Sequence, residues 1–191
     1  MGRVTFGGYI LAGGSSSRMG LDKAFLPIDG TPLLVRVASA LQHAEAVTVV
    51  GGDEHRVRDL GFSWIPDDLP GLGPLGGIHT AVTHCSLTIA VIFSCDLPAI
   101  TATATEHLLD HRGGAGCCVP VVAGRTQWHA GAWSVGETRR ACSLVPSGSI
   151  YAMAKHLRPS LLLDTRDEWY VDLDTPADVA ARPTMSRDHS A

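Results

Sequence analysis

Short apolar runs alternate with amphipathic stretches along most of the chain. The apolar runs predict buried strands at positions 8–11, 46–50, 87–93, 116–122 and 130–134. The amphipathic stretches predict helices near positions 31–43, 54–60, 73–85, 103–111, 136–144 and 149–157. Because strands alternate with helices, the pattern predicts an α/β fold, specifically a three-layer α/β/α sandwich around a Rossmann-like, mostly parallel central sheet.

Local signals mark the start of two of the predicted helices. Thr31 and Pro32 precede the first helix, with Thr31 expected as its N-cap and Pro32 at the first helical position. Positions 175–178 read Thr-Pro-Ala-Asp, which predicts a final helix. We therefore expect one domain over residues 1–183 and a flexible tail over residues 184–191, where apolar periodicity is lost.

Length, composition and charge exclude several classes of protein. A chain of 191 residues has enough interior for one sheet covered on both faces. With 45% hydrophobic and 18% charged residues, and no apolar run approaching the roughly 18 residues that cross a bilayer, the sequence does not predict a membrane protein. The formal net charge of −4 and the lack of a basic cluster argue against a nucleic-acid partner.

The cysteines predict a reduced, cytoplasmic setting. Five are present, without C-x-x-C or zinc-ligand spacing, and the N-terminus does not resemble a signal peptide. The vicinal pair Cys117 and Cys118 lies inside an apolar, strand-like run. We expect these two side chains to pack in the core rather than to form a redox pair.

Candidate chemistry is concentrated at positions 11–24, where an apolar strand end leads into a loop of small residues with two cations. Gly13 and Gly14, followed by three serines, leave backbone N–H groups free to turn toward phosphate oxygens. Arg18 offers a planar fork of donors, and Lys23, one of only two lysines, offers a mobile point charge. An isolated Gly/Ser segment is more often a solvated turn, and this one matches neither a Walker loop nor a Rossmann fingerprint.

Three aspartates are candidates for a metal ligand or for a group that recognises the base. Asp96 follows the strand at 87–93, where Mg²⁺ is often held by one or two carboxylates together with substrate phosphates. Asp67 and Asp68 lie in a loop rich in proline and glycine, and a carboxylate there would accept hydrogen bonds from the ring N–H and amino group of guanine. The alternative for all three residues is an ordinary turn or capping aspartate.

Positions 11–23 read L-A-G-G-S-S-S-R-M-G-L-D-K. This segment resembles the signature L-A-G-G-x-S-x-R-M-G-x-D-K of nucleotidyltransferases of the GT-A-like superfamily, most closely the molybdenum cofactor guanylyltransferases. The resemblance implies a fold of the nucleotide-diphospho-sugar transferase type and transfer of GMP from GTP to molybdopterin, free or bound to molybdenum, with release of pyrophosphate. It also implies Mg²⁺ as cofactor, and a GTP-binding adaptor and recipient molybdoenzymes as partners.

The resemblance also implies which residues form the site. It gives catalytic roles to Arg18, Lys23 and Asp96. It gives nucleotide contacts to Leu11, Ala12, Gly13, Gly14, Lys23, Gly51, Asp67 and Asp96. The C-D-x-P segment around Asp96 looks like the metal site of the family, and positions 171–176 resemble its late D-x-D-T-P segment, which adds Asp174, or else Asp172, as a further metal ligand.

Some positions leave alternatives open. Guanylyltransferases often have asparagines at the positions of Asp172 and Asp174, so these aspartates look more like the related cytidylyltransferases. Gly13 favours guanylyl transfer instead, because cytidylyltransferases usually have L-A-A-G where this chain has L-A-G-G. Trp128 lies where relatives contact the pterin, and it either stacks there or packs in the core. Sugar-1-phosphate uridylyl transfer and a noncatalytic nucleotide-binding regulator are further alternatives.

Overall fold

A computed structural model describes residues 4–13, 22–145, 148–163 and 165–173. The strands are β1 (Gly7–Leu11), β2 (Pro27–Ile28), β3 (Thr31–Pro32), β4 (Val47–Val50), β5 (Ser63–Ile65), β6 (Ile89–Ser94), β7 (Cys117–Val122), β8 (Arg125–Thr126), β9 (Ala130–Ser134) and β10 (Ser160–Leu162). The helices are α1 (Leu33–Ala40), α2 (Glu54–Asp59), α3 (Pro74–His84), α4 (Ala102–Arg112), α5 (Val135–Leu144) and α6 (Ile150–Ala154). Single 3₁₀ turns cover Lys23–Phe25 and Asp167–Tyr170.

One large sheet organises the molecule, with the strand order β10-β7-β9-β6-β1-β4-β5 and β8 paired to β7. The neighbours β6, β1, β4 and β5 run parallel, so their carboxyl ends meet at one edge of the sheet. β9 is antiparallel to both β6 and β7, whereas β10 is parallel to β7. Because β9 runs in the opposite direction, its first residues lie beside the carboxyl end of β6.

Helices cover both faces of the sheet, which confirms the predicted three-layer α/β/α architecture. Side chains of one strand alternate between the faces. In β1, Ile10 belongs to the buried cluster that includes Leu34 of α1 and Leu108 of α4. Its neighbour Leu11 belongs to the second cluster, with Ile78 of α3 and residues of α5 and α6. None of the helices within the described ranges has the length and apolarity needed to span a membrane.

The predicted start of the first helix is wrong. Thr31 and Pro32 form β3, which pairs antiparallel with β2, and α1 begins only at Leu33. Pro32 occupies the N-cap position without a side-chain capping bond, so Thr31 is not the N-cap. The physical reason is the two-residue turn at Asp29 and Gly30, whose φ angles are 49° and 79°, because an Asp-Gly pair with positive φ favours a tight hairpin.

The bounds of the other predicted strands and helices agree with the structure to within a few residues. The main differences are α1 and α6, which end at Ala40 and Ala154 rather than near 43 and 157, and the short strands β2, β5, β8 and β10, which were not predicted. The helix predicted after Thr175 and the tail at 184–191 lie outside the described residues.

Candidate active site

The loop after β1 is held between the ends of its two neighbouring strands. The Ala12 N–H donates to the carbonyl oxygen of Val50 at 2.9 Å, so the chain continues alongside β4. On the other side, the Cys95 N–H donates to the carbonyl oxygen of Leu11 at 3.0 Å. The loops that follow β1, β4 and β6 therefore meet at one edge of the sheet, where ligands bind in open α/β folds.

A close approach of two backbones requires glycine after β4. A Cβ on Gly51 would lie 3.0 Å from the Cα of Gly13 and 3.1 Å from its nitrogen, and the φ of Gly51 is +71°. A side chain at position 51 would therefore be strained and would push the loop after β1 away. The carbonyl oxygen of Gly51 accepts a 2.8 Å hydrogen bond from the indole N–H of Trp64, which fixes this turn.

A cavity of about 220 Å³ opens at this edge of the sheet. Its lining residues are Leu11, Gly13, Val50, Asp67, Gly73, Pro74, Gly77, Ser94 and His129. The cavity thus brings the predicted residues Leu11, Gly13 and Asp67 together, with Gly51 packed behind Gly13. Two other predicted residues, Gly14 and Arg18, lie outside the described residues.

The two aspartates of the loop before α3 have different partners. Oδ1 of Asp67 accepts hydrogen bonds from the Leu69 N–H at 3.0 Å and from the hydroxyl of Thr80 at 3.2 Å. Asp68 instead places its carboxylate 3.2 Å from Nε2 of His84 at the end of α3. Of the two, Asp67 lines the cavity and Asp68 does not.

Asp96 and Lys23 are connected through the backbone of Leu173. The Leu173 N–H donates to the carbonyl oxygen of Asp96 at 3.0 Å. Nζ of Lys23 donates to the carbonyl oxygen of Leu173 at 2.7 Å. The segment before position 174 therefore joins the turn that carries Lys23 to the loop after β6.

Charged side chains surround the buried thiol of Cys95, next to Asp96. Burial raises the pKa of this thiol well above its ordinary value, and the negative charges of Asp96 and Asp22 raise it further. The positive charge of Lys23 acts on the same thiol in the opposite direction. The charges of Asp96, Asp22 and Lys23 therefore all act at the end of β6.

The carboxylate of Asp96 has the chemistry of a ligand for a divalent cation. Its Oδ1 is buried and has no hydrogen-bond partner among the described residues. A buried carboxylate oxygen without a donor is costly unless something else satisfies it, and hard cations such as Mg²⁺ prefer such oxygens. No cluster of three or more His, Cys, Asp or Glu residues that could hold a metal ion occurs in the part of the chain described. Asp172 is exposed, and Asp174 lies outside the described residues.

His129 and Thr80 are among the residues of this region that were not assigned from the sequence. His129 lines the cavity because β9 begins beside the end of β6, and its carbonyl oxygen accepts a 2.8 Å hydrogen bond from the Ser94 N–H. Thr80 contacts Asp67 across 13 positions of sequence. Trp128 packs against Trp133 and edge-on against Tyr151, with only 9% of its surface exposed, in agreement with the packing alternative.

A mostly parallel sheet with a glycine turn and carboxylates at the carboxyl ends of its strands is typical of α/β proteins that bind nucleotides. Residues 8–167 match the family model described as the MobA-like NTP transferase domain. The chain belongs to this family.

Several curated relatives are named as molybdenum cofactor guanylyltransferases. The chain is 32% identical over 180 residues to the molybdenum cofactor guanylyltransferase of Rhodobacter capsulatus, a match that covers 91% of this chain and 92% of that protein. It is 35% identical over 114 residues to a probable molybdenum cofactor guanylyltransferase of Pelotomaculum thermopropionicum, covering 59% of this chain and 56% of that protein. In this match and in similar ones from Clostridium perfringens, the chain spans about half the length of the relative.

Solved structures share the fold. Molybdopterin-guanine dinucleotide biosynthesis protein A from Archaeoglobus fulgidus superposes with a TM-score of 0.74 at 19% identity, covering 91% of this chain and 95% of that one. The 2-C-methyl-D-erythritol 4-phosphate cytidylyltransferase of Thermus thermophilus superposes with a TM-score of 0.68 at 16% identity, covering 90% and 94%. The predicted fold class and family resemblance are therefore confirmed.

Proposed function

We propose that this protein is a molybdenum cofactor guanylyltransferase that transfers GMP from GTP to the terminal phosphate of molybdopterin and releases pyrophosphate. The observation that carries the proposal is the cavity at the carboxyl ends of β1 and β4, which joins the glycine loop at Gly13 to the carboxylate of Asp67. The names of the relatives favour guanine as the base and molybdopterin, with or without molybdenum, as the acceptor.

In this proposal the base of GTP lies in the cavity between Gly13 and Asp67. Backbone next to Leu11, Ala12 and Gly13 contacts the base, and the Asp67 carboxylate accepts from its ring N–H and amino group. Adenine and cytosine do not present that pair of donors, so the carboxylate selects guanine. Gly51 acts indirectly, because its lack of a side chain allows Gly13 to approach β4.

The triphosphate then extends toward Lys23 and Asp96. An oxygen of the acceptor phosphate forms a bond to the α-phosphorus of GTP while the bond between the α-phosphorus and the bridging oxygen breaks. Pyrophosphate leaves with that electron pair. The acceptor oxygen is already an anion, so no strong general base is required, and catalysis depends on position and charge.

Lys23 and Asp96 supply different parts of that electrostatic environment. Lys23 moves its ammonium group from the carbonyl oxygen of Leu173 to a phosphate oxygen, and Arg18 contributes a second cation. Asp96, whose Oδ1 is buried without a hydrogen-bond partner among the described residues, would hold Mg²⁺, and the ion would neutralise charge on the phosphates. Asp174 is a further candidate ligand. A GTP-binding adaptor and recipient molybdoenzymes belong to the proposal as partners.

The test is pyrophosphate release from each of the four nucleoside triphosphates with purified molybdopterin and Mg²⁺. We expect turnover with GTP and a much lower rate with ATP, CTP and UTP. Equal or better use of CTP would replace guanylyl by cytidylyl transfer. Binding of GTP without turnover would indicate a noncatalytic regulator, and turnover only with a sugar-1-phosphate acceptor would move the protein to another class of nucleotidyltransferase.

A further inference from the structure

We infer that Thr80 is a positioning residue for nucleotide selection, because its hydroxyl orients the Asp67 carboxylate toward the cavity. The inference rests on the proposed role of Asp67 in base recognition. Thr80 lies on α3 and is completely buried, although it is a polar residue. A buried hydroxyl needs hydrogen-bond partners, and the partners of this one all belong to the loop that carries Asp67.

The hydrogen bonds around Thr80 fix the direction in which its hydroxyl donates. The Asp68 N–H donates to the Thr80 oxygen at 2.9 Å, so that bond uses the oxygen as an acceptor. The hydroxyl proton of Thr80 then points to Oδ1 of Asp67 at 3.2 Å. The branched side chain of Thr80 has few χ1 rotamers in a helix, and the one adopted here brings the hydroxyl to the loop that carries Asp67.

The two oxygens of Asp67 consequently have different tasks. Oδ1 accepts from both the Thr80 hydroxyl and the Leu69 N–H, which occupies its lone pairs. Oδ2 receives no hydrogen bond from the described residues. It lies 3.8 Å from the position that a Cβ on Gly13 would have, on the side of the glycine loop. Oδ2 is therefore the oxygen left to accept from a bound base.

Position along α3 explains why Thr80 performs this role. Gly77 packs against Leu11 at the floor of the cavity, and Thr80 follows one turn later on the same side of the helix. The helix that packs under the glycine loop thus also holds the carboxylate opposite that loop. Without the hydroxyl, Asp67 would keep only the Leu69 N–H and would rotate more freely about its side-chain bonds.

The test compares Thr80→Val with Thr80→Ser in the full chain. Valine keeps the volume and removes the hydroxyl, whereas serine keeps the hydroxyl. We expect Thr80→Val to raise KM for GTP on the order of tenfold and to reduce the preference for GTP over ATP by a similar factor, with a smaller effect on kcat. Thr80→Ser should restore most of both values.

Thr105→Val is the matched control. Thr105 is also buried, with 2% exposure, and its hydroxyl donates to the carbonyl oxygen of Ala40 at 2.8 Å, in contacts between α4 and α1. A merely structural role for Thr80 predicts that both valine variants lower the melting temperature equally and leave KM unchanged. That result would overturn the inference. If Thr80→Val does not fold, Thr80→Ala against Thr80→Ser provides the same comparison.

Asp67→Asn separates this inference from the proposed function. Loss of the preference for GTP in Asp67→Asn, together with unchanged selectivity in a folded Thr80→Val, refutes the positioning role alone. Unchanged selectivity in Asp67→Asn refutes the base-reading role of Asp67, and the inference about Thr80 fails with it.

Discussion

Nζ of Lys23 donates a 2.7 Å hydrogen bond to the backbone carbonyl oxygen of Leu173, 150 positions away in the sequence. The N–H of the same Leu173 donates to the carbonyl oxygen of Asp96. Leu173 itself is buried in a small cluster with Ile28 and Leu33. The lysine and the aspartate that we propose to act on phosphates and metal are therefore held by one short segment of chain.

Replacing Lys23 by alanine tests whether that lysine acts mainly on substrate. We expect turnover to fall on the order of 10²-fold, as for loss of one preorganised charge contact. The hydrogen bond to Leu173 is donated by a charged group, so its loss should cost about 2 kcal/mol, or a fall of about 4–8 °C in melting temperature, while the fold is kept. Steady-state kinetics and thermal unfolding check both values. Lys155→Ala is the control, because Lys155 is the other lysine and is exposed. An unfolded Lys23→Ala would show that this lysine is structural.

Asp96→Asn tests the metal assignment. The buried Oδ1 has no hydrogen-bond partner among the described residues, so the metal-free protein loses little by neutralisation of this carboxylate. We expect a melting temperature equal to or above that of the wild type without metal, together with a fall in turnover on the order of 10²-fold. Titrations of Mg²⁺ in the presence of GTP should show weaker metal binding. Wild-type metal dependence in this variant would contradict the assignment, and Asp110→Asn on the exposed side of α4 is the control.

Alanine substitutions at two helical glycines, Gly77 beside the cavity and Gly136 in α5, test whether the shape of the cavity controls GTP binding. A Cβ on Gly77 would lie 2.9 Å from both terminal methyl groups of Leu11, a cavity residue. Gly77→Ala should therefore displace Leu11, destabilise the protein by about 1–3 kcal/mol and weaken GTP binding. For Gly136 in α5, no described heavy atom lies within 4 Å of the added Cβ. Gly136→Ala should stabilise the protein by about 0.5–1 kcal/mol, with GTP affinity unchanged.

Denaturant unfolding and GTP titration measure these two effects separately. If Gly77→Ala and Gly136→Ala change the free energy of unfolding and the GTP affinity equally, Leu11 adapts to the added methyl group without cost.

The buried vicinal thiols predict how stability changes at alkaline pH. Burial raises the pKa of Cys117 to about 12 and that of Cys118 to about 11, from an ordinary value of 9.0. Above pH 9 the unfolded chain therefore binds fewer protons than the folded chain, and the free energy of unfolding falls as pH rises toward 11. Below pH 8 these thiols contribute no pH dependence.

Denaturant unfolding at pH 7.5, 9 and 10.5 measures this trend. Cys117→Val should flatten the dependence between pH 9 and 10.5 relative to the wild type. An identical slope in the two proteins would contradict the contribution of that thiol.

Much of the fold was predictable because its main strands are locally apolar. β1, β4, β6, β7 and β9 are buried runs, and a run of that kind needs no distant information to be recognised. The start of α1 was not predictable from capping residues, because Asp29 and Gly30 form a hairpin turn that takes Thr31 into β3. β10 has only three residues and depends on pairing with β7, which no local pattern encodes.

The candidate site also contains residues that the sequence predicts and residues that only the fold brings together. Gly13, Asp67 and Asp96 follow or precede recognisable elements, so their place at the carboxyl edge of the sheet follows from chain order. Thr80 and His129 join the region only through contacts in space: a hydrogen bond from α3, and an antiparallel strand that begins beside β6.

The sequence by itself determined the α/β architecture, the glycine loop and the types of side chain available for phosphate, metal and base, because these depend on local pattern and residue chemistry. The tertiary structure decided what holds the carboxylate of Asp67 at the cavity, and how Leu173 connects Lys23 with Asp96. These contacts depend on distances between residues far apart in the chain, and only strand pairing and helix packing determine those distances.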